Sequence, residues 1–393
     1  MFLDVLRRRN PAFLDAVVAL HQEGRIPANA YALDLDAVRG NAQVLREEAD
    51  RHRLELFAMT KQVGRARGFV DALREGGIVS GVAVDMTDAR ALRDGGLRVA
   101  HLGHLVQVPK AEAAAAAALE PDNWTVFSHE KAAEAAAASQ REQALLARIH
   151  APGDVFYEGH EGGFDAARIV EVAERIDALD GARFAGVTTF PALLFDADAK
   201  EVRPTPNLAT LERAAERLRD AGVAEVRINA PGTTSSAVFG LLAECGATQV
   251  EPGHGLTGTT PLHAVRDLAE LPAACYVTEV SHIHGGRAYA FGGGLYVDPV
   301  FPDYRLRALV AERPGELRLL DATIPPPAAI DYYGQLDLAG GPAPRTGATV
   351  VFGFRIQAFV TRAYVVGVTG TAAGKPEVAG IWTGDGREAE WPS

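Results

Sequence analysis

From Tyr31 to Glu251 the chain repeats one alternation: a short apolar run ends in polar or glycine residues, and an amphipathic Ala/Leu/Arg/Glu segment follows. That rhythm is the signature of βα units. Candidate strands are Tyr31–Leu35, Leu54–Met59, Gly81–Val84, Val99–Leu102, Trp124–Ser128, Leu146–Ile149, Phe184–Thr188, Glu225–Ile228 and Thr248–Glu251. Candidate helices between them include Asp36–Ala49, Thr87–Asp94, Glu130–Ala138, Ala166–Leu179 and Asn207–Ala221. The strands show no clean polar/apolar alternation, as expected of a parallel sheet covered on both faces. They exceed an eight-stranded barrel by one, so the first or last lies outside it, or one is not a strand.

After about Leu271 the helical periodicity gives way to runs rich in Tyr, Val, Thr and Gly: Cys275–Ile283, Ala288–Val297, Glu316–Leu320, Ala348–Val351 and Phe359–Val368. Pro and Gly clusters separate them, which predicts an antiparallel β domain. A chain of 393 residues is too long for one ordinary core. The expected fold is therefore α/β, a (β/α)8 TIM barrel with a C-terminal antiparallel β domain. Its expected parts are an N-terminal helical segment (1–28), the barrel (29–270) and the β domain (271–393).

A formal charge of −12 and a pI near 5.4 argue against nucleic acid as a partner, since that needs a basic face. Cys245 and Cys275 are too few for a disulfide framework and read as reduced thiols. The opening Met-Phe-Leu-Asp-Val-Leu-Arg-Arg-Arg reads as a helix, because no apolar core and cleavage site follow its basic run. No run approaches the roughly 20 apolar residues that span a bilayer. The expectation is a cytoplasmic protein without a membrane partner that acts on a small molecule.

Five lysines are present, Lys61, Lys110, Lys131, Lys200 and Lys375, and Lys61 alone ends an apolar strand. Desolvation there favours the neutral amine needed for an imine. Barrel enzymes also place their sites at the C-terminal ends of strands. A strand-end lysine serves equally as a solvated cap, so position alone does not decide. Asn229-Ala-Pro-Gly-Thr-Thr-Ser-Ser236 and Gln249-Val-Glu-Pro-Gly-His-Gly-Leu-Thr-Gly258 follow two late strands. Bare backbone N–H groups and short hydroxyls in such loops suit a phosphate, which barrels often bind after their last two strands.

With these residues in place, the chain resembles the fold type III pyridoxal-phosphate enzymes, most closely the alanine-racemase-like amino acid racemases. The resemblance rests on Leu33-Asp-Leu-Asp-Ala-Val-Arg-Gly-Asn, Phe57-Ala-Met-Thr-Lys61, Val84-Asp-Met-Thr-Asp-Ala-Arg and Val250-Glu-Pro-Gly253. Gly159-His-Glu-Gly-Gly-Phe164 sits where the family has a Gly-Met-x-Arg-x-Gly-Phe loop. The resemblance implies that Lys61 is the Schiff-base lysine and one proton-transfer base. It also implies that Arg65, Thr234, Ser235, Ser236, Gly253 and His254 hold the cofactor phosphate. A tyrosine or arginine in Phe359-Val-Thr-Arg-Ala-Tyr364 could reach the cofactor as well.

Departures from the family are specific. Glu251 stands where alanine racemases have an arginine facing the pyridine nitrogen, and a carboxylate favours a protonated ring and a stronger electron sink. Thr188-Thr189-Phe190 replaces the family's Thr-His-Phe. Phe291 falls where the family has the second base, a tyrosine from the partner subunit. Tyr289 shares its side-chain parity on a strand and is the candidate replacement. His282 and His284 also share one face, but without further ligands at zinc spacing no metal is expected. His101, His104 and Gln107 lie at another strand's end as pocket, packing or capping groups. The implied function is a homodimeric racemase exchanging the Cα proton of an amino acid. The alternatives are a decarboxylase, aldolase or dehydratase of the same fold, or a non-catalytic carrier of the cofactor.

Overall fold

The structure is a computed structural model that describes residues 1–296, 300–301 and 304–391. Its contacts divide into two compact units, neither contiguous in sequence: 1–43, 60–76 and 254–393 form one, and 44–59 and 77–253 the other.

The second unit holds the parallel sheet. Its strands run in the order Glu55–Leu56, Gln249–Val250, Arg227–Asn229, Ala182–Thr188, Gln143–His150, Asn123–Val126, Arg98–Leu102, Ser80–Ala83 and Ala58–Met59. The first and last of these are halves of one segment broken at Phe57, so the path closes on itself as the expected barrel. Helices Met86–Asp94, His129–Ala138, Ile169–Asp177 and Pro206–Asp220 lie between successive strands. Two start at side-chain caps that satisfy a free backbone N–H: Asp85 accepts from Asp88 N, and Ser128 from Lys131 N. Phe57, Val82 and Ala100 form one apolar cluster, and Ala144, Leu146 and Ala185 another.

The other unit carries a nine-stranded, mainly antiparallel sheet. The first expected strand belongs here and is the one outside the barrel. As Ala30–Asp34 it pairs antiparallel with Ala274–His284 and parallel with Tyr364–Thr369. Helices Phe2–Arg9 and Pro11–Gln22 contribute Leu6, Phe13, Leu14, Val17 and Leu20 to the core beneath, with Val277, Leu309 and Val351 from the sheet.

The strand expected over Ala288–Val297 forms as Arg287–Phe291, and its last position, 297, lies outside the described residues. The run expected from Phe359 starts later, at Tyr364, because Ala358–Val360 turns as a 3₁₀ helix.

Candidate functional site

At the C-terminal ends of the barrel strands the interior changes from apolar to polar. Parallel register aligns Arg148 with Thr188 and Thr188 with Asn229, and partners in such a pair point to the same face. Thr188 Oγ1 donates to Asn229 Oδ1 at 2.8 Å, and Asn229 Nδ2 donates to Glu251 Oε1 at 2.8 Å. The same carboxylate oxygen lies 2.5 Å from His101 Nδ1, while His101 Nε2 lies 2.5 Å from Thr125 Oγ1. The strand bearing His101 and the strand that leads into Glu251 are not neighbours in the sheet, so this contact crosses the inside of the barrel.

The Glu251 side chain is fully buried. Burial alone would raise its carboxyl, but the nearby His104 and His101, with hydrogen bonds from His101 and Asn229, hold it below its ordinary value. The ionised carboxylate only accepts, so His101 donates from Nδ1. His104 Nδ1 stands 3.4 Å from Oε2, and Oε2 accepts no hydrogen bond from the described residues. Ligand-type atoms of His101, His104 and Glu251 lie within 4.8 Å of one another, yet both ring nitrogens of His101 are engaged inside this network.

The loop after Asn229 presents a second unsatisfied group. Ser235 is 1% exposed and its Oγ has no hydrogen-bond partner among the described residues. Thr234 is buried beside it and donates to Gly232 O at 3.1 Å. A Cβ at Gly232 would sit 2.6 Å from Leu193 O, so only glycine lets the loop pass that close.

In the other unit, Lys61 opens the 3₁₀ turn Lys61–Val63, two residues beyond the Ala58–Met59 strand. It is half-buried rather than buried. Its Nζ stands 5.6 Å from the Phe359 ring centroid. The turn ends in Gly64 (φ 63°), where a Cβ would meet Gly384 O at 2.7 Å, and continues through Arg65 in the left-handed region (φ 60°). His254 Nε2 lies 2.8 Å from Ile356 O, and a carbonyl only accepts, so Nε2 carries the proton. Burial, then the Arg355 charge, push the His254 ring down to about 3, and Lys61 adds in the same sense. His254 is therefore neutral near pH 7, with Nδ1 as its acceptor.

The predicted residues thus fall into separate groups. Thr234, Ser235 and Glu251 lie in the barrel's polar end, with Ser236 opening the turn Ser236–Val238 and Gly253 closing the Glu251-Pro-Gly segment. Lys61 and His254 act on one another electrostatically within the other unit. Tyr289 stands in an aromatic group, stacked on His282 (centroids 4.6 Å, planes 9° apart) with Tyr333 edge-on. From the 359–364 segment it is Phe359 that meets Lys61, while Arg362 pairs with Asp331 at 2.9 Å and Tyr364 packs on Trp391. Sequence reasoning did not assign Asn229, Thr125 or Arg148 to the site, nor pair His101 with Glu251. The available signal was Arg148 itself, a charge inside the apolar run Leu146–Ile149.

A carboxylate oxygen that accepts no hydrogen bond suits a protonated ring nitrogen, and an orphaned hydroxyl on a glycine-bearing loop suits phosphate oxygens. The donor sets present fit pyridoxal phosphate.

Comparison with known proteins adds lineage to this geometry. Residues 33–261 match the alanine racemase N-terminal domain and residues 275–378 the C-terminal domain described as YhfX-like. The chain is 39% identical over 385 residues to a protein of Escherichia coli (strain K12) named "Uncharacterized protein YhfX", covering 97% of each. Among solved structures, D-threonine aldolase from Filomicrobium marinum is similar at a TM-score of 0.67 and 18% identity, over 92% of this chain and 96% of that one. Alanine racemase of Clostridium difficile 630 in complex with cycloserine gives 0.64 at 15% identity, over 90% and 98%. D-threo-3-hydroxyaspartate dehydratase from Delftia sp. HT23 gives 0.63 at 16%, over 92% and 98%.

Proposed function

The chain belongs to the alanine racemase N-terminal domain family of fold type III pyridoxal-phosphate proteins, and from that membership we propose an amino acid racemase that exchanges the proton at Cα. The observation that carries this proposal is Glu251, a buried, ionised carboxylate with one oxygen held by His101 and Asn229 and the other accepting no hydrogen bond from the described residues.

When bound, pyridoxal phosphate withdraws electrons from the bonds at Cα and so acidifies Cα–H. Lys61 holds it through Nζ and, once released, takes or returns a proton at Cα. Glu251 keeps a proton on the ring nitrogen, and His101 and Asn229 fix its carboxylate. Thr234, Ser235 and Ser236, with Arg65 and the backbone at Gly253 and His254, hold the phosphate. Tyr289, from a partner copy in a homodimer, is the proposed group on the opposite face of the substrate. The proposed setting is the cytoplasm.

Decarboxylation, aldol cleavage or elimination is the second possibility, and Glu251 favours it too, since a deeper electron sink serves any bond broken at Cα. Incubating single amino acid enantiomers with the enzyme in deuterium oxide separates them. The Cα-deuterated antipode is expected; carbon dioxide, an aldehyde or a keto acid as the main product would overturn the racemase assignment. Lys61→Ala is expected to remove the visible absorbance of lysine-bound cofactor, and borohydride-trapped cofactor on that variant would refute the anchor.

A further inference from the structure

An open cavity of about 570 Å³ lies at the N-terminal ends of the barrel strands. Glu55, Ser80, Arg98, Asn123 and Arg227 line it, and each is the first residue of its strand. The polar layer around Glu251 is at the other end of the same barrel. Six arginines and four carboxylates share the cavity wall, which leaves an excess of positive charge in a protein whose formal charge is −12. Arg46 pairs with Asp50, Arg98 with Asp122 and Arg183 with Glu142. Arg53, Arg141 and Arg227 form no ion pair among the described residues. The remaining carboxylate, Glu55, accepts from Gln249 Nε2 at 2.8 Å.

Two of these three guanidiniums are fixed by neutral acceptors on one short segment. Arg227 Nη1 donates to Asp122 O at 3.1 Å and to Asn123 Oδ1 at 2.6 Å, and the Asn123 amide is itself buried and donates to Ala100 O at 3.0 Å. Arg141 Nη2 donates to Glu120 O at 2.6 Å and to Pro121 O at 3.3 Å. Their other guanidinium nitrogens have no partner among the described residues. With Arg98 on Asp122, three cations converge on residues 120–123. Arg53 joins them from beyond the helix Leu35–Arg51, in the left-handed region (φ 56°) where glycine is at ease. Its side chain has no partner among the described residues. This face of a barrel ordinarily serves stability, for which paired charges suffice. A surplus of gathered cations repels itself unless an anion joins it, and guanidinium forks match the oxygens of a phosphate group.

We propose that this cavity is a binding site for a small phosphate-bearing anion, either inorganic phosphate or the phosphoryl group of a metabolite. The free nitrogens of Arg141 and Arg227 receive its oxygens, and Arg53 adds the further charge that a dianion needs. The site stands apart from the chemistry at the other end of the barrel and does not rest on the function proposed above.

The test titrates inorganic phosphate and methyl phosphate into holoenzyme by calorimetry at constant ionic strength, with wild type, Arg53→Gln and Arg141→Gln. Binding is scored as the difference between wild type and variants, which separates this cavity from any phosphate held by the loops after Asn229 and Glu251. Each substitution is expected to weaken phosphate by roughly tenfold to a hundredfold, the range for a hydrogen bond to a charged group. Tighter binding of inorganic phosphate marks the free ion as ligand, and tighter binding of the ester marks a phosphoryl group. Without phosphate, Arg53→Gln should melt at the wild-type temperature or above it, because it removes a repelling charge and no contact. With saturating phosphate it should gain less than wild type. No saturable binding to wild type at millimolar phosphate, or variants that bind as tightly as wild type, would overturn the proposal. So would an Arg53→Gln protein that melts lower without phosphate yet responds to it like wild type, since the cluster would then be a structural network. Should Arg141→Gln not fold, Arg53→Gln decides alone.

Discussion

His101 Nδ1 and Glu251 Oε1 meet at 2.5 Å across the inside of the barrel, joining two strands that share no backbone hydrogen bond. His101 donates a hydrogen bond to a buried, ionised carboxylate, and losing a hydrogen bond to a charged group costs about 1.5 to 3 kcal/mol. His101→Phe should therefore lower the urea unfolding free energy of the cofactor-free protein by that amount. Adding Glu251→Gln should return a large part of it, because the amide needs no counter-charge. A double variant as unstable as His101→Phe alone would show that the loss came from packing.

Ser235 Oγ is buried without a partner among the described residues, so in the cofactor-free protein the hydroxyl carries a desolvation penalty that no hydrogen bond from them offsets. Ser235→Ala should leave the melting temperature of that form unchanged or slightly raised. Cofactor affinity, followed by fluorescence titration, should nevertheless fall by about tenfold, as expected for one hydrogen bond to a charged phosphate. Unchanged affinity would remove Ser235 from the phosphate site.

Gly163 has φ 116°, and a Cβ there would lie 2.4 Å from Arg148 O. Neither strain can be relieved by a flexible side chain, so Gly163→Ala should destabilise the protein by about 2 kcal/mol or more. Limited proteolysis should speed up within 151–163. An unshifted urea midpoint would mean that the loop can leave the strand without loss.

The pH dependence of stability should carry the signature of His21. Burial pushes its ring from 6.5 down to about 4. The unfolded chain then takes up a proton before the folded one as pH falls. Stability from this group is complete above about 6.5 and is lost between there and about 4, an effect of about 3 kcal/mol. The Glu279 carboxyl, 3.7 Å away and raised by burial, acts in the opposite sense. Comparing unfolding free energies at the two ends of the window in wild type and His21→Leu isolates the histidine. An equally steep decline in the variant would assign the effect elsewhere.

The barrel was legible because apolar runs and amphipathic helices alternate at lengths that other folds rarely sustain. Ala30–Asp34 was ambiguous for a physical reason: an apolar five-residue run suits a parallel or an antiparallel sheet, and only its partners decide. Arg307–Ala311, Tyr333–Asp337 and Glu377–Trp382 were not anticipated, since the last two alternate over half-exposed faces rich in Gly and polar residues. Lys61, the loop after Asn229 and Glu251 could be singled out because each departs from its local surroundings. The pairing of His101 with Glu251 could not, because residues 150 positions apart leave no mark on local periodicity. Arg148 did leave one, a charge in an apolar strand.

The strand Ala30–Asp34 lies between Ala274–His284 and Tyr364–Thr369. In the order of synthesis, an early segment therefore emerges from the ribosome long before either of its neighbours exists. Its backbone N–H and C=O edges stay unpaired while the whole barrel is made, which is the period when open strands are most prone to misassociate. Cutting the chain near its end should for that reason strand both termini at once, and the last strands act as the clasp for the first.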